Sequence, residues 1–350
     1  MDSPDDSVLL SVQDGLGRIT LNRPRAINAI TLPMVQAMHE ALRGWAQDDD
    51  VRAVLIDGAG ERGLCAGGDI VAVYNSLLAA TPAAEAYWRA EYELVETIAG
   101  YPKPYIALMD GLVLGGGVGV SAHGSLRIVT ERSRVGLTQL NIGFVPDIGG
   151  SWLMARAPGR LGAYAGLTAA QLGPADAILC GLADVCVASE SLPELTADLG
   201  RALAQSAPAS RSAGGADGDP DAGGRAALDA ALLSSARLHE TPLGPGVLAR
   251  DRRWIDEAFA APDARAIIAE LQGRDEPDAR AAGSRLAALS PSSLREALAL
   301  IRGAADLDLH DAIEAELHAA LRVAAGPDLR EGIRAQVIDK DRTPRWSADA

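Results

Sequence analysis

Two glycine-rich stretches hold the groups best able to do chemistry. Cys65-Ala66-Gly67-Gly68-Asp69 and Gly115-Gly116-Gly117-Val118-Gly119 each follow a predicted strand and open a predicted helix. At such a junction the first backbone N–H groups of the helix have no intrahelical acceptor. Glycine leaves them unscreened, so they can receive negative charge. Two such donors aimed at one oxygen form an oxyanion hole, the device that enolate or tetrahedral-intermediate chemistry at an acyl carbonyl requires. Either stretch taken alone serves equally well as a tight turn or a close helix–strand contact. Neither ends in the Lys-Ser/Thr of a phosphate loop, and neither spells Gly-x-Gly-x-x-Gly, so nucleotide-cofactor readings are poorer. Ser121 and Ser151 lack a Gly-x-Ser-x-Gly elbow.

The elements that must position these loops alternate in type. Gly17-Arg18-Ile19-Thr20-Leu21 reads as a strand, and Thr31 as the cap of a helix running to about Trp45. Further strands are predicted at Val51–Ile56, Pro104–Met109 and Leu126–Thr130, separated by helical segments at about 69–78, 83–100 and 115–123. Strand, helix, strand in this order predicts βαβ crossovers and a mainly parallel sheet, an α/β fold. Past about residue 190 the strand signal fades. Residues 207–224, rich in Ala, Ser, Gly, Asp and Pro, read as a loop or linker insertion. From 225 onward Ala and Leu recur at helical spacing, which predicts at least four helices. The chain thus divides into an α/β part, 1–190, and a helical part, 191–350.

With 350 residues, 48% of them hydrophobic and only 4% aromatic, the chain can bury a sizeable aliphatic core. Its formal charge of −15 argues against a nucleic-acid or anionic-membrane partner, though a helix N-terminus can still hold an anionic ligand. Cys65, Cys180 and Cys186 are too few and too unevenly placed for a disulfide framework or a zinc site, and read as buried reduced thiols. The acidic start Met1–Asp6 carries no apolar stretch, and no run is long enough to span a membrane, so the expected setting is the cytoplasm. His39, His239, His310 and His318 fall on predicted helices as surface residues. His123, at the end of the segment after the second glycine loop, is the one placed to approach a substrate.

Leu21-Asn22-Arg23-Pro24-Arg25-Ala26-Ile27-Asn28-Ala29 resembles the opening segment of the crotonase (enoyl-CoA hydratase/isomerase) superfamily. Cys65–Asp69 and Gly115–Gly117 resemble its two oxyanion-hole loops. Glu91-Tyr92, Pro104–Leu108, Gly143–Gly150 and the tail segments Glu331–Ala335 and Ile338–Asp341 resemble its 3-hydroxyisobutyryl-CoA hydrolase branch. The resemblance implies a crotonase-like ββα spiral core with a C-terminal α-helical region. It implies an acyl-CoA substrate, no cofactor beyond the CoA of that substrate, no metal, and a possible homo-oligomer. By position it assigns the oxyanion donors to Gly68 and Gly116, flanked by Gly67, Asp69 and Gly115. Glu91 lines the substrate pocket, Asp147 lies near the acyl hydroxyl, and Arg25 and Ala26 meet the CoA. From spacing alone Glu91 is equally a solvated helix carboxylate among Glu85, Glu93 and Glu96, and Asp147 a turn residue after Pro146.

Two departures matter. The superfamily's hydratases carry a glutamate just after the second glycine loop; here that position is Gly119, as in the hydrolase branch. That branch's catalytic glutamate lies in a Met-Pro-Glu triplet, and here the triplet is Leu137-Thr138-Gln139. A neutral amide neither takes a proton readily nor attacks a thioester. The expectation is hydrolysis of 3-hydroxyisobutyryl-CoA in valine catabolism, weakened by Gln139, with Asp147 or Glu91 supplying the base through a water. Other acyl-CoA chemistry, or acyl-CoA binding without turnover, are the alternatives.

Overall fold

The apolar runs become strands buried on both faces, which is why they read as runs rather than alternations. The computed structural model describes residues 6–205 and 222–347. Its strands are β1 (Val8–Gln13), β2 (Leu16–Leu21), β3 (Ala53–Gly58), β4 (Tyr105–Met109), β5 (Leu112–Leu114), β6 (Leu126–Thr130), β7 (Arg134–Gly136) and β8 (Val185–Val187). Six form one sheet in the order β1-β2-β3-β4-β6-β8, antiparallel at β1–β2 and parallel elsewhere. β5 and β7 form a separate parallel pair.

Alternate residues of the central strands feed two cores. Val54 and Ile56 of β3, with Tyr105, Ala107 and Met109 of β4, face the large core shared with the helices Leu32–Gln47 and Ala83–Ala99 and with the C-terminal helices. Ala53 and Leu55, with Ile106 and Leu108, face the smaller one, closed by Leu195, Leu199 and Leu203 of helix Leu192–Gln205 and by Leu232 and Ala236 of helix Ala222–Arg237. The two glycine loops leave the sheet on the side of the large core.

The fold is the one anticipated, with local corrections. β1 was not predicted: beyond Val8 its side chains are exposed, so it carries no burial pattern. β5, β7 and β8, of three residues each, are too short to show a period. Thr31 has the extended backbone of a cap but makes no side-chain capping bond; Asp69 does cap, accepting from the Ala72 amide. The helix predicted over 115–123 is the single turn Gly116–Gly119. His239 lies in a turn rather than a helix, bonded to Asp198. Most of the 207–224 insertion lies outside the described residues, and Ala222 already begins a helix. Seven helices follow among the described residues from 222 to 333. None of the described helices is long and apolar enough to cross a membrane.

Asn28 anchors the first glycine loop. Buried, and at a φ of 55° that asparagine tolerates better than most residues, it donates through Nδ2 to the carbonyls of Ala59, Gly63 and Leu64, each at 3.1 Å. Its Oδ1 accepts from the Arg23 amide at 2.9 Å. Asn28→Ala orphans these groups and is expected to cost about 2–3 kcal/mol, to be read as a lowered urea midpoint at unchanged slope.

Candidate active site

The two glycine loops are sewn to each other. The Cys65 amide donates to the Leu112 carbonyl at 3.0 Å, and the Leu114 amide to the Cys65 carbonyl at 2.9 Å, a parallel bridge between Cys65 and Val113. Beyond it, Gly115 takes φ 50° and ψ −119°, a backbone closed to ordinary side chains, and turns the chain into Gly116–Gly119. Among the described residues, neither the Gly68 nor the Gly116 N–H is given to a protein acceptor. Three flanking amides are used: Gly67 to the Cys65 sulfur, Asp69 to the Ile30 carbonyl, Gly115 to the Gly136 carbonyl. A Cβ on Gly116 would lie 3.3 Å from the Gly68 nitrogen and 2.5 Å from Glu91 Oε1; one on Gly68 would lie 2.6 Å from the Tyr87 hydroxyl. Two unpaired amides, a carboxyl and a phenol therefore crowd one point.

Helix Ala83–Ala99 supplies that carboxyl from its buried face, where Tyr87, Glu91 and Tyr92 lie together. Tyr87 donates to Glu91 Oε1 at 2.8 Å. Tyr92 donates to Asp147 Oδ2 at 2.9 Å, and Gln139 Nε2 to Asp147 Oδ1 at 2.7 Å. With Nε2 so engaged, Gln139 Oε1 is a buried acceptor with no protein donor among the described residues. Glu91 is only 3% exposed, which disposes of a solvated role. Burial, and then the nearby Asp147 charge, push the Glu91 carboxyl up to about 8, while the Tyr87 bond pulls the other way. Burial pushes Asp147 up to about 6, held there by the opposing bonds from Gln139 and Tyr92. Two donors against one make Asp147 the first of the pair to ionise. Loss of one proton from the pair therefore leaves the charge on Asp147 and the proton on Glu91.

The remaining residues divide plainly. Gly67, Gly68, Gly115, Gly116, Glu91, Gln139 and Asp147 come together. Asp69 sits at the edge, committed to its helix cap and to an ion pair with Arg23 at 3.1 Å. Arg25 and Ala26 lie exposed on the turn Pro24–Ala26, whose carbonyls at Pro24 and Arg25 accept from Arg62. That turn adjoins the first glycine loop through the Ala66 amide on the Ile27 carbonyl. At Gly119 a Cβ would lie 3.0 Å from the Ile148 Cβ and 3.2 Å from Val95 Cγ2, so this position is wall, with no space for an acid. His123 is pushed down to about 4 by burial, and its Nε2–H donates to the Ile148 carbonyl at 2.9 Å. Burial pushes the Cys65 thiol up to about 12, which removes it as a nucleophile. Tyr87 had no place among the candidates read from the sequence, although it precedes Glu91 by one helical turn, and Tyr92 had a place in the Glu91-Tyr92 stretch but no role. Glu316 went unnoticed too, on an Ala/Leu-rich helix with nothing to mark it. It is fully buried and accepts from the Gly149 amide, the Ser151 amide and the Ser151 hydroxyl.

Two unbonded amides on bridged glycine loops, beside this sheet, are the arrangement the family resemblance led one to expect. The enoyl-CoA hydratase/isomerase family profile matches residues 16–350, and the chain belongs to that family. It is 34% identical over 346 residues to a mitochondrial 3-hydroxyisobutyryl-CoA hydrolase of Gallus gallus, covering 98% of this chain and 85% of that protein. Among solved structures, a carnitinyl-CoA dehydratase from Mycobacterium thermoresistibile superposes with a TM-score of 0.85 at 42% identity, covering 97% of this chain and 91% of that one. An enoyl-CoA hydratase from Rhodobacter sphaeroides 2.4.1 gives 0.84 at 37% identity, covering 98% and 92%.

The raised Glu91 carboxyl has a consequence for stability. Folded, it holds its proton up to about 8; unfolded, it releases it near 4.5. Across that window the native state binds more protons, so this group's contribution to stability declines as pH rises. Glu91→Gln is expected to match the parent at about pH 3.5, where the carboxyl is protonated in both states, and to melt a few degrees higher at about pH 8. Thermal melts at the two pH values check it; an equal offset at both contradicts it.

Proposed function

We propose that this chain hydrolyses a short 3-hydroxyacyl-CoA thioester, with 3-hydroxyisobutyryl-CoA as the substrate, to the free acid and CoA, a step of valine catabolism. The thioester oxygen sits between the Gly68 and Gly116 amides, which need a partner and find it in the developing oxyanion. Each such donor is worth about 10²- to 10³-fold in rate. Asp147, ionised, takes a proton from the attacking water. Glu91, protonated, returns a proton to the departing CoA sulfur. Gln139 steadies Asp147 through Nε2 and offers Oε1 as an acceptor to the water or to the acyl hydroxyl. Arg25 and Ala26 meet the CoA at the rim, with Asp69 beside them. The reading routes no step through a metal or redox cofactor; CoA enters as part of the substrate. The observation that carries it is the pair of unpartnered amides crowded against an acid and a base of separated proton affinity.

A thiol-release assay with 3-hydroxyisobutyryl-CoA tests it. The parent is expected to turn over with a bell-shaped kcat profile displaced above the usual carboxylate range, rising as the Asp147–Glu91 pair loses its first proton and falling as it loses the second. Asp147→Asn should lower kcat by about 10²- to 10⁴-fold. Gln139→Glu sets a second carboxylate against Asp147, so the two share a proton and the lower limb moves to higher pH. No thiol release from the parent at any pH, while the ester still binds, would sink the hydrolase reading. Activity gained only in Gln139→Glu would identify a base lost at that position.

A further inference from the structure

The Asp147 carboxylate stands on a turn that is not at ease. Ile148, a β-branched residue, adopts φ 60°, and Gly149 follows at φ 71°. Such a backbone persists only where its surroundings leave no alternative. Three devices hold it. The Gly150 amide closes the turn onto the Asp147 carbonyl at 2.8 Å, and His123 Nε2–H holds the Ile148 carbonyl at 2.9 Å. The third comes from far along the chain. Glu316, on helix Leu309–Ala325, accepts the Gly149 amide on Oε2 at 2.7 Å and the Ser151 amide and hydroxyl on Oε1 at 2.7 and 2.5 Å. Gly149 is wedged where a Cβ would lie 2.6 Å from His123 Cε1 and 2.9 Å from Leu309 Cδ1, so the same helix also bears on the turn sterically. That helix reaches the other half of the acid–base pair as well, since His310 Nδ1 pairs with Glu96 on the helix that carries Glu91 and Tyr92.

Glu316 has no route to a substrate in this arrangement, because both its oxygens are occupied by the turn. A glutamate is an expensive way to cap a one-and-a-half-turn helix inside a protein, where a buried carboxylate is costly unless every lone pair is engaged. What it provides that a smaller cap does not is simultaneous purchase on residues 149 and 151, immediately after the catalytic aspartate. We infer that Glu316, delivered by the C-terminal helical region, is a positioning residue for the hydrolysis: it locks the strained turn 147–151 and so aims the Asp147 carboxylate. The inference rests on the reading of Asp147 as the base. It makes the C-terminal region a working part of the site rather than an appendage to the α/β core.

The test compares Glu316→Gln, Asp147→Asn and the double variant in the thiol-release assay, with folding checked by circular dichroism. Gln keeps the shape but faces one amide donor with its own NH₂. It is expected to lower kcat by about 10- to 100-fold, the scale of a displaced catalytic group, with KM within about two-fold because substrate contacts are untouched. In the Asp147→Asn background the same change should have no further effect, since its target is gone. If Glu316→Gln does not fold, Ser151→Ala, which removes one of the three donors, takes its place with a smaller fall in kcat and the same silence without Asp147. Unchanged kcat in a folded Glu316 or Ser151 variant overturns the inference, as does a loss of equal size with and without Asp147, which marks a general structural cap. An Asp147→Asn protein as fast as the parent would instead overturn the assignment of the base.

Discussion

Keeping two backbone N–H groups unpaired inside a folded chain is the demand on which the rest of this structure depends. A buried donor without an acceptor costs free energy that a helix or sheet would ordinarily recover. Here the amides of Gly67, Asp69 and Gly115 are engaged, while among the described residues those of Gly68 and Gly116 find no protein acceptor. The bridge between Cys65 and Val113 makes that possible, because it fixes the approach of the two loops before either reaches its free amide. The glycines then follow from space. At Gly116 a methyl group would occupy the position of the Glu91 carboxyl, and at Gly115 the backbone itself rules out a side chain.

Electrostatics impose the second constraint. Glu91, Asp147 and Glu316 are all buried in one neighbourhood, each pushed upward by the loss of water. They are tolerated because neutral donors surround them: Tyr87 on Glu91, Tyr92 and Gln139 on Asp147, Ser151 and Gly149 on Glu316. Between Glu91 and Asp147 the affinities are pushed apart because the Asp147 charge adds to the burial that raises Glu91, while two donors on Asp147 favour its ionised form. Seen this way Gln139 is less a missing acid than a donor. A carboxylate at that position would face Asp147 with like charge, whereas the amide stabilises its ionised form.

The division of the chain into a sheet-bearing part and a helical part describes its secondary structure better than its packing. The large core runs from Val8 to Ile333 without a break, and the C-terminal helices contribute Ile313, Leu317 and Val323 to it. Helix Leu192–Gln205 and helix Ala222–Arg237 instead cover the opposite face of the sheet. The sheet is thus sandwiched, and the side that carries the reactive loops is closed by helices from both ends of the sequence.

The sequence by itself determined the backbone. Apolar runs announced strands β2, β3, β4 and β6, glycine marked both loops with their free amides, and the ordered motifs from Leu21 to Asp341 identified the family. These features are local: a strand's apolar face, a glycine's freedom and a proline's restriction act within a few residues of where they are written. Only the tertiary structure decided the chemistry of the side chains. Glu91 stands in a run with Glu85, Glu93 and Glu96 that looks uniformly solvated, and packing against the Gly116 turn is what buries it and raises its proton affinity. Asp147 gains a donor from Tyr92, 55 residues earlier, and its turn is held by Glu316, 165 residues beyond Ser151. A carboxyl's proton affinity is set by the water it loses and the donors it gains, and both are fixed by parts of the chain that meet only when it folds.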